Sequence, residues 1–250
     1  MNETATVFRA GFGVDGARAG WVVASGGGRH PELTLVSDLA ILADEIAHHG
    51  ALVDIPVGLP GGDHPTRTCD REARRLLGPR RSSVFPAPSR AALAASGWAE
   101  ANRVNRDATG RGLPRQSWGL VPKIREVDRV LVDGERLRGR LRESHPELAF
   151  TWLNGGTPMP APKKDAEGLA ERWMSLEAVW AGVESHATRW AARHAGIAPD
   201  DVADALALLA LGGAGALPLP SRPQLDEEGL PMEILAHPSL IPGASPKRDG

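Results

Sequence analysis

FGVDGARAGWVVA (residues 12–24) decides how the chain begins to fold. Residues 12–15 are a short, mostly apolar run that Gly16 interrupts, and a second apolar run follows at residues 21–24. Short apolar runs separated by glycines predict strands joined by a turn. Residues 33–36, where apolar residues flank a threonine, predict a third strand. Together the three runs predict an antiparallel meander.

The chain then leads through a helix to a fourth strand. A glycine-rich turn is predicted at residues 25–29, and a helical pattern at residues 39–46 follows Ser37 and Asp38, either of which can cap it. Residues 51–55 are ALVDI, an apolar strand interrupted only by Asp54. Strand, strand, strand, helix, strand is the order of an RNase H-like core. We therefore predict an α/β fold with helices on both faces of the sheet.

The middle of the chain is predicted to be an insertion into this core. Residues 60–138 are a long, mostly helical stretch rich in arginine and proline, which follows the fourth strand. Its helical patterns lie at about 71–77, 90–103 and 118–131. A strand at 137–143 and helices within 166–195 and at 200–211 complete a single domain, residues 1–241. Residues 242–250 lack apolar periodicity and are predicted to be disordered.

Composition excludes several classes of protein. The single cysteine, Cys69, excludes an internal disulfide and a cysteine-based zinc site. Residues 1–14 lack the basic start and apolar core of a signal peptide. The apolar run at 202–217 is too short and too interrupted for a membrane span. We therefore expect a cytoplasmic protein that does not bind membranes.

Charge is unevenly distributed along the chain, although the net charge is only −2. Residues 61–140 contain 17 basic and 9 acidic residues, a balance of +8, whereas the remainder contains 12 and 22, a balance of −10. A basic segment on an acidic body can bind a polyanion such as nucleic acid. A solvated, arginine-rich surface gives the same pattern.

Two aspartates stand where an ionised carboxylate is costly. Asp15 ends the first strand, and Asp54 lies within a strand that is predicted to be buried. A buried carboxylate needs a cation, hydrogen bonds or a raised pKa. If the two strands are neighbours, the carboxylates repel each other unless a metal ion lies between them. Carboxylates and waters are the ligands of Mg²⁺, so we predict a site for Mg²⁺ or Mn²⁺.

Further acids lie near the later elements. Glu143 and Glu147 flank His145 at a predicted strand end, where a surface turn is the simplest alternative to a site. Asp201 and Asp204 lie one turn apart on the last predicted helix. The helix dipole accounts for Asp201, whereas Asp204 lies among apolar residues and needs a partner. The roles of Glu147, His145 and Asp201 stay open.

Two nucleotide-binding motifs are excluded. Residues 11–16 spell G-x-G-x-x-G, but that motif binds dinucleotides where it opens a helix, and here it leads into a strand. The sequence contains no G-x-x-x-x-G-K-[ST] motif, which excludes a P-loop.

A series of short motifs resembles one family. The motifs are Gly13-Val-Asp-Gly16 with Gly20-Trp-Val-Val, Asp54-Ile-Pro-Val-Gly-Leu-Pro60, Arg80-Arg-Ser-Ser-Val-Phe-Pro-Ala-Pro88, Pro122-Lys-Ile124, Glu143-Ser-His-Pro-Glu147, Asn154-Gly-Gly156, Asp201-Val-Ala-Asp-Ala205 and Gly229-Leu-Pro-Met-Glu233. From about residue 11 to 235 the chain is similar to domain-of-unknown-function family 429 (DUF429), described as predicted nucleases with an RNase H-like fold. The resemblance implies catalytic, metal-binding acids at Asp15, Asp54, Glu143 and Asp204.

The function expected from these features is hydrolysis of nucleic acid by a metal-dependent nuclease. Two metal ions, roughly 4 Å apart, would be held by the carboxylates, one to activate water and one to stabilise the leaving oxygen. The side chains expected to contact the substrate are Arg80, Arg81, Ser82, Ser83, Lys123 and Lys163. Whether that substrate is DNA, RNA or a small nucleotide stays open.

Two alternatives to a nuclease also stay open. RNase H-like cores occur in sugar kinases and related ATPases, although these usually duplicate the core and this chain has no internal repeat. The second alternative is a non-catalytic binding or regulatory module that keeps the acids for folding.

Overall fold

The computed structural model describes residues 6–26 and 29–244 of a mixed α/β protein. Its strands are β1 (Phe12–Ala17), β2 (Gly20–Ser25), β3 (Glu32–Val36), β4 (Ala51–Val53), β5 (Leu141–Glu143), β6 (Leu217–Leu225) and β7 (Pro231–Ala236). Its α-helices are α1 (Ala43–His49), α2 (Thr68–Leu77), α3 (Trp98–Thr109), α4 (Arg115–Asp133), α5 (Pro146–Leu153), α6 (Ala166–Glu177), α7 (Val183–Ala191) and α8 (Pro199–Ala214).

Five strands form one mixed sheet in the order β3-β2-β1-β4-β5. β1 pairs antiparallel with β2, and β2 pairs antiparallel with β3, which confirms the predicted meander. On the other side of β1, β4 is parallel to it and β5 is parallel to β4. The carboxyl ends of parallel strands meet at one edge of a sheet. Residues that follow β4 and β5 therefore come next to the end of β1.

Helices cover both faces of this sheet. Successive residues of a strand point to opposite faces, so neighbouring residues pack against different helices. Leu52 of β4 packs in a core that includes α8, whereas Val53 packs in a core that includes α4. In β1, Val14 belongs to the α4 side and Gly13 faces α8. Asp15, two residues after Gly13, therefore points toward α8.

Two glycines allow α8 to lie directly on β1. A Cβ atom on Gly13 would lie 2.1 Å from the carbonyl oxygen of Ala205 and 2.3 Å from the amide nitrogen of Leu209. A Cβ atom on Gly212, within α8, would lie 2.8 Å from the carbonyl oxygen of Ala10. No side chain fits these gaps, so the two glycines set the distance between β1 and α8.

The long segment between β4 and β5 is helical, as predicted, but it is only in part an excursion from the core. α4 packs its apolar side on the face of the sheet opposite α8. Its Glu126 accepts hydrogen bonds from Trp21 Nε1 (2.7 Å) and from the backbone N–H of Leu39 (2.8 Å). α4 is thus a layer of the domain, whereas α2 and α3 lie outside that layer.

A hairpin of β6 and β7 follows α8, and no pattern in the sequence predicted it. β6 contains Pro218, Pro220 and Pro223, and prolines disfavour a strand because they cannot donate to the ladder. β6 tolerates them because, in its two-stranded sheet, it pairs only with β7. A parallel bridge between Ser144 and Leu235 connects this hairpin to the end of β5.

Several predicted boundaries differ from those of the structure. β4 ends at Val53, so Asp54 follows the strand instead of lying inside it. β5 is confined to Leu141–Glu143. Residues 27 and 28 of the predicted glycine turn, and 245–250 of the predicted disordered tail, lie outside the described residues. Among the described helices, none has the length and hydropathy needed to cross a membrane.

Candidate metal centre

Three aspartates meet at the carboxyl edge of the sheet. Asp15 comes from β1, Asp54 follows β4 and Asp204 comes from α8, and each has a carboxylate oxygen within 4.8 Å of the other two. Asp15 and Asp204 are buried, with 6% and 1% of their surfaces exposed, and Asp54 is half-buried. The structure thus brings together three of the four acids named from the sequence.

Burial and repulsion between the carboxylates both raise the pKa values of Asp15 and Asp204. Burial raises the pKa of Asp15 well above its usual value, and the charges of Asp204 and Asp54 raise it further. Burial also raises the pKa of Asp204 to about 6, although the charge of Lys163 opposes this effect. A bound cation would oppose both effects, because a nearby positive charge favours the ionised form of a carboxylate.

Asp204 has Lys163 as a partner, whereas Asp15 and the less buried Asp54 receive no hydrogen bond from any donor within residues 6–26 and 29–244. The Asp15 side chain borders a cavity of about 540 Å³. Buried carboxylates normally have hydrogen bonds or a cation. Oxygen ligands beside an open cavity are what Mg²⁺ and Mn²⁺ prefer, so the residues present fit the predicted metal.

Lys163 lies against the clustered aspartates, although it was expected to contact the substrate. Its Nζ atom contacts Asp204 Oδ2 and lies 3.8 Å from Asp200 Oδ2. Burial lowers the pKa of Lys163, but the charges of Asp204 and Asp15 outweigh burial and raise it above its usual value. Lys163 is therefore a permanent positive charge beside the cluster.

Asp201 has a structural partner of its own. Its Oδ2 atom accepts a hydrogen bond from the backbone N–H of Ala198 (2.9 Å), where α8 begins. Asp201 borders the same cavity as Asp204, but it is not one of the three clustered carboxylates.

Glu143 borders the same cavity as the three aspartates but is not one of the clustered carboxylates. It is the Cα partner of Val53, which is the partner of Val14, so all three face the side away from α8. The Glu143 carboxylate pairs with the buried Arg67 and accepts a hydrogen bond from the backbone N–H of Val57 (2.8 Å). Burial raises the pKa of Glu143 to about 8, against the charge of Arg67.

Two buried arginines near the cavity were missed by sequence reasoning. Arg67 lies between Glu143 and Asp70, with its Nη1 atom 3.1 Å from Asp70 Oδ1. Arg172 is fully buried and donates to Glu147 Oε1 (2.6 Å). Arg67 and Glu143 are 76 positions apart, so no local pattern signals the pair.

His145 has a structural environment. Its Nδ1 atom accepts a hydrogen bond from the backbone N–H of Glu147 (3.1 Å) at the start of α5. Its Nε2 atom lies 3.2 Å from the carbonyl oxygen of Ser83. With both ring nitrogens engaged, His145 connects α5 to the turn that follows α2.

Most side chains expected to contact the substrate border the cavity. They are Arg80, Ser82, Ser83, Lys123 and Lys163. Arg81 is exposed and does not border it. Lys123 Nζ donates to the carbonyl oxygen of Gly20 (2.8 Å) and lies over the Trp21 ring, 4.2 Å from its centroid.

The metal-free protein is expected to lose stability as the pH rises from 3.8, the usual pKa of an aspartate, to about 6, the pKa of Asp204 in the folded protein. In this window the folded state binds more protons than the unfolded state, so the free energy of unfolding falls as the pH rises.

Asp15→Asn removes one repelling carboxylate and should stabilise the metal-free protein by about 1–2 kcal/mol near neutral pH.

Thermal unfolding in EDTA across this pH range measures the effect. Asp63→Asn is the control, because Asp63 is exposed and makes no ion pair among the described residues. If Asp15→Asn melts like the wild type at every pH, the repulsion between the clustered carboxylates is too weak to matter.

Comparison with known proteins identifies a family. The sequence model of a family described as "Protein of unknown function (DUF429)" matches residues 13–224. No curated protein and no solved structure matches the chain. The matched region contains Asp15, Asp54 and Asp204 and extends from β1 into β6. The chain therefore belongs to the DUF429 family.

Proposed function

We propose that this chain is a nuclease with an RNase H-like core, which uses Mg²⁺ or Mn²⁺ at Asp15, Asp54 and Asp204 to hydrolyse phosphodiester bonds. The observation that carries the proposal is the buried Asp15 carboxylate, which lacks a hydrogen-bond donor among the described residues and lies within 4.8 Å of the Asp54 and Asp204 carboxylates beside a cavity. The order of three antiparallel and two parallel strands supports the RNase H-like core.

The three aspartates supply the ligands for the metal, and Glu143 is not required among them. When bound, a divalent cation stabilises the charge that develops on the phosphate and makes water a stronger nucleophile at neutral pH. β1, β4 and α8 hold the three carboxylates in place, so the ligands are positioned before substrate binds.

Arg80 provides positive charge for the substrate at the same cavity. Its Nη2 atom lies 4.0 Å from Glu147 Oε1, too far for a hydrogen bond, and its buried Nε atom has no hydrogen-bond partner among the described residues. A guanidinium with unused donors is suited to phosphate oxygens. Contacts of this kind give affinity without reading the base sequence.

The protein is expected to cleave oligonucleotides in Mn²⁺ or Mg²⁺ and to be inactive in EDTA. The test uses four oligonucleotides of the same base sequence: single- and double-stranded DNA, and single- and double-stranded RNA.

Arg80→Ala should weaken oligonucleotide binding by about 10-fold and make the binding constant depend less on salt, because fewer counterions are released. Arg81→Ala is the matched control, since Arg81 is exposed and lies outside the cavity.

Two results would contradict the proposed nuclease activity: no cleavage of any substrate, and cleavage that persists in EDTA. If ATP raises the thermal stability of the protein and no oligonucleotide is cleaved, the result would favour the alternative of a kinase or ATPase. Equal salt dependence in the Arg80→Ala and Arg81→Ala proteins would remove Arg80 from the substrate site and leave the metal site untouched.

A further inference from the structure

Lys163 contributes a positive charge to the aspartate cluster itself. Its Nζ atom contacts Asp204 Oδ2, and its side chain is 34% exposed, whereas that of Asp204 is 2% exposed. Asp200 Oδ2 lies 3.8 Å from the same Nζ atom, on the outer side of α8. The ammonium therefore occupies a position between the cluster and solvent.

The backbone that carries Lys163 is anchored by a fully buried arginine. Arg172 Nη1 donates to the carbonyl oxygens of Ala161 (3.1 Å) and Gly168 (2.7 Å). The first turn of α6 also presses on this segment, because a Cβ atom on Gly168 would lie 2.1 Å from the carbonyl oxygen of Pro162. The backbone next to Lys163 is thus fixed in position, which keeps the Lys163 side chain close to the aspartate cluster.

The charge of the cluster limits how many metal ions it can hold. Three ionised aspartates and the Lys163 ammonium together carry −2, which one divalent cation neutralises. A second divalent cation at Asp204 would lie beside the ammonium, and like charges that close repel each other. Glu143, the fourth acid implied by the family resemblance, borders the same cavity but is outside the cluster, and its charge is already paired with Arg67.

We infer that the cluster binds one divalent cation and that Lys163 occupies the place of a second one, where it positions Asp204. This inference rests on the proposed function, since it concerns the same metal site. It replaces the expectation of two metal ions with one metal ion and one ammonium. Lys163 is accordingly a positioning residue whose removal changes metal binding.

The test counts the Mn²⁺ ions bound per chain by isothermal titration calorimetry, with free Mn²⁺ checked by electron paramagnetic resonance. The wild type is expected to bind one ion and Lys163→Gln two, because the repelling charge is gone. Lys163→Met repeats the test with a second neutral side chain, and Lys163→Arg, which keeps the charge, should bind one. Lys164→Gln is the matched control, since the exposed Lys164 makes no ion pair within the described residues.

An equal number of ions in the wild type and in both neutral variants overturns the inference, provided that circular dichroism shows them folded. If that number is two, the proposed metal site stands and only the role of Lys163 fails. If it is zero, the proposed metal-dependent function fails as well.

Discussion

Asp204→Asn is expected to reduce metal-dependent cleavage by about two to three orders of magnitude, as when one preorganised electrostatic contact to a transition state is removed. Asp204 is 1% exposed and lies with Asp15 and Asp54 in the candidate metal centre. Asparagine keeps the shape of the side chain but removes the charge that a divalent cation needs. The loss should therefore appear in cleavage and in Mn²⁺ affinity together.

Asp201→Asn is the matched variant, one turn earlier on the same helix. Asp201 accepts a hydrogen bond from Ala198 N–H, and asparagine retains an oxygen that can accept it. We expect this variant to lose at most a few-fold in activity, because asparagine at this third helical position can still accept the hydrogen bond from the N-cap residue Ala198. Equal losses in the two variants would show that the roles assigned to these acids are wrong, and full activity in Asp204→Asn would make Asp204 structural.

Gly13→Ala is expected to have the largest effect on stability. The new Cβ atom would lie 2.1 Å from the carbonyl oxygen of Ala205 and 2.3 Å from the amide of Leu209, so α8 must move away from β1. Overpacking of this severity should reach or exceed the upper end of its usual range, about 3 kcal/mol. Because Asp204 moves with α8, Mn²⁺ binding should weaken in parallel.

Gly213→Ala makes the same chemical change in α8, the helix that packs on Gly13, and should change stability in the opposite direction. Gly213 is exposed, and a Cβ atom there would meet nothing within 4 Å. Alanine is the better helix former by about 0.5–1 kcal/mol, so this variant should be slightly more stable than the wild type. Urea unfolding of the three proteins measures both effects, and equal midpoints for Gly13→Ala and wild type would contradict the close approach of α8.

The clustered aspartates could be predicted from the sequence because each one breaks a local pattern. Asp15 and Asp54 interrupt apolar strand segments, and Asp204 lies among the apolar residues of a buried helix. The cost of burying a charge is visible in such a pattern without knowledge of the fold. Parallel strands then bring two of these positions to one edge of the sheet.

The position of Glu143 could not be predicted, because it depends on pairing between distant strands. A shift of one residue in register moves a side chain to the other face of a sheet. Glu143 is level with Val53 and therefore lies on the side of the sheet away from α8, outside the aspartate cluster. Its partner Arg67 stands far away in the sequence, and so no local signal marks the ion pair.

The contact between Lys163 and Asp204 could not be predicted from the sequence either. It lies in a segment between α5 and α6, 41 positions before Asp204, and only the docking of α8 brings the two together. The strand β6 was hidden for a different reason, since its prolines are unfavourable in most strands and are tolerated here at an edge.

The close packing of α8 on β1 also determines when, during synthesis, the proposed metal site becomes complete. Asp15 and Asp54 leave the ribosome early, whereas Asp204 emerges some 150 residues after Asp54. A nascent chain that ends before α8 has only part of the ligand set. A metal ion that binds only the folded state at 100 times its dissociation constant adds about 2.7 kcal/mol to stability. This stabilisation is possible only after α8 has packed on β1, so metal binding would not stabilise an unfinished chain that lacks α8.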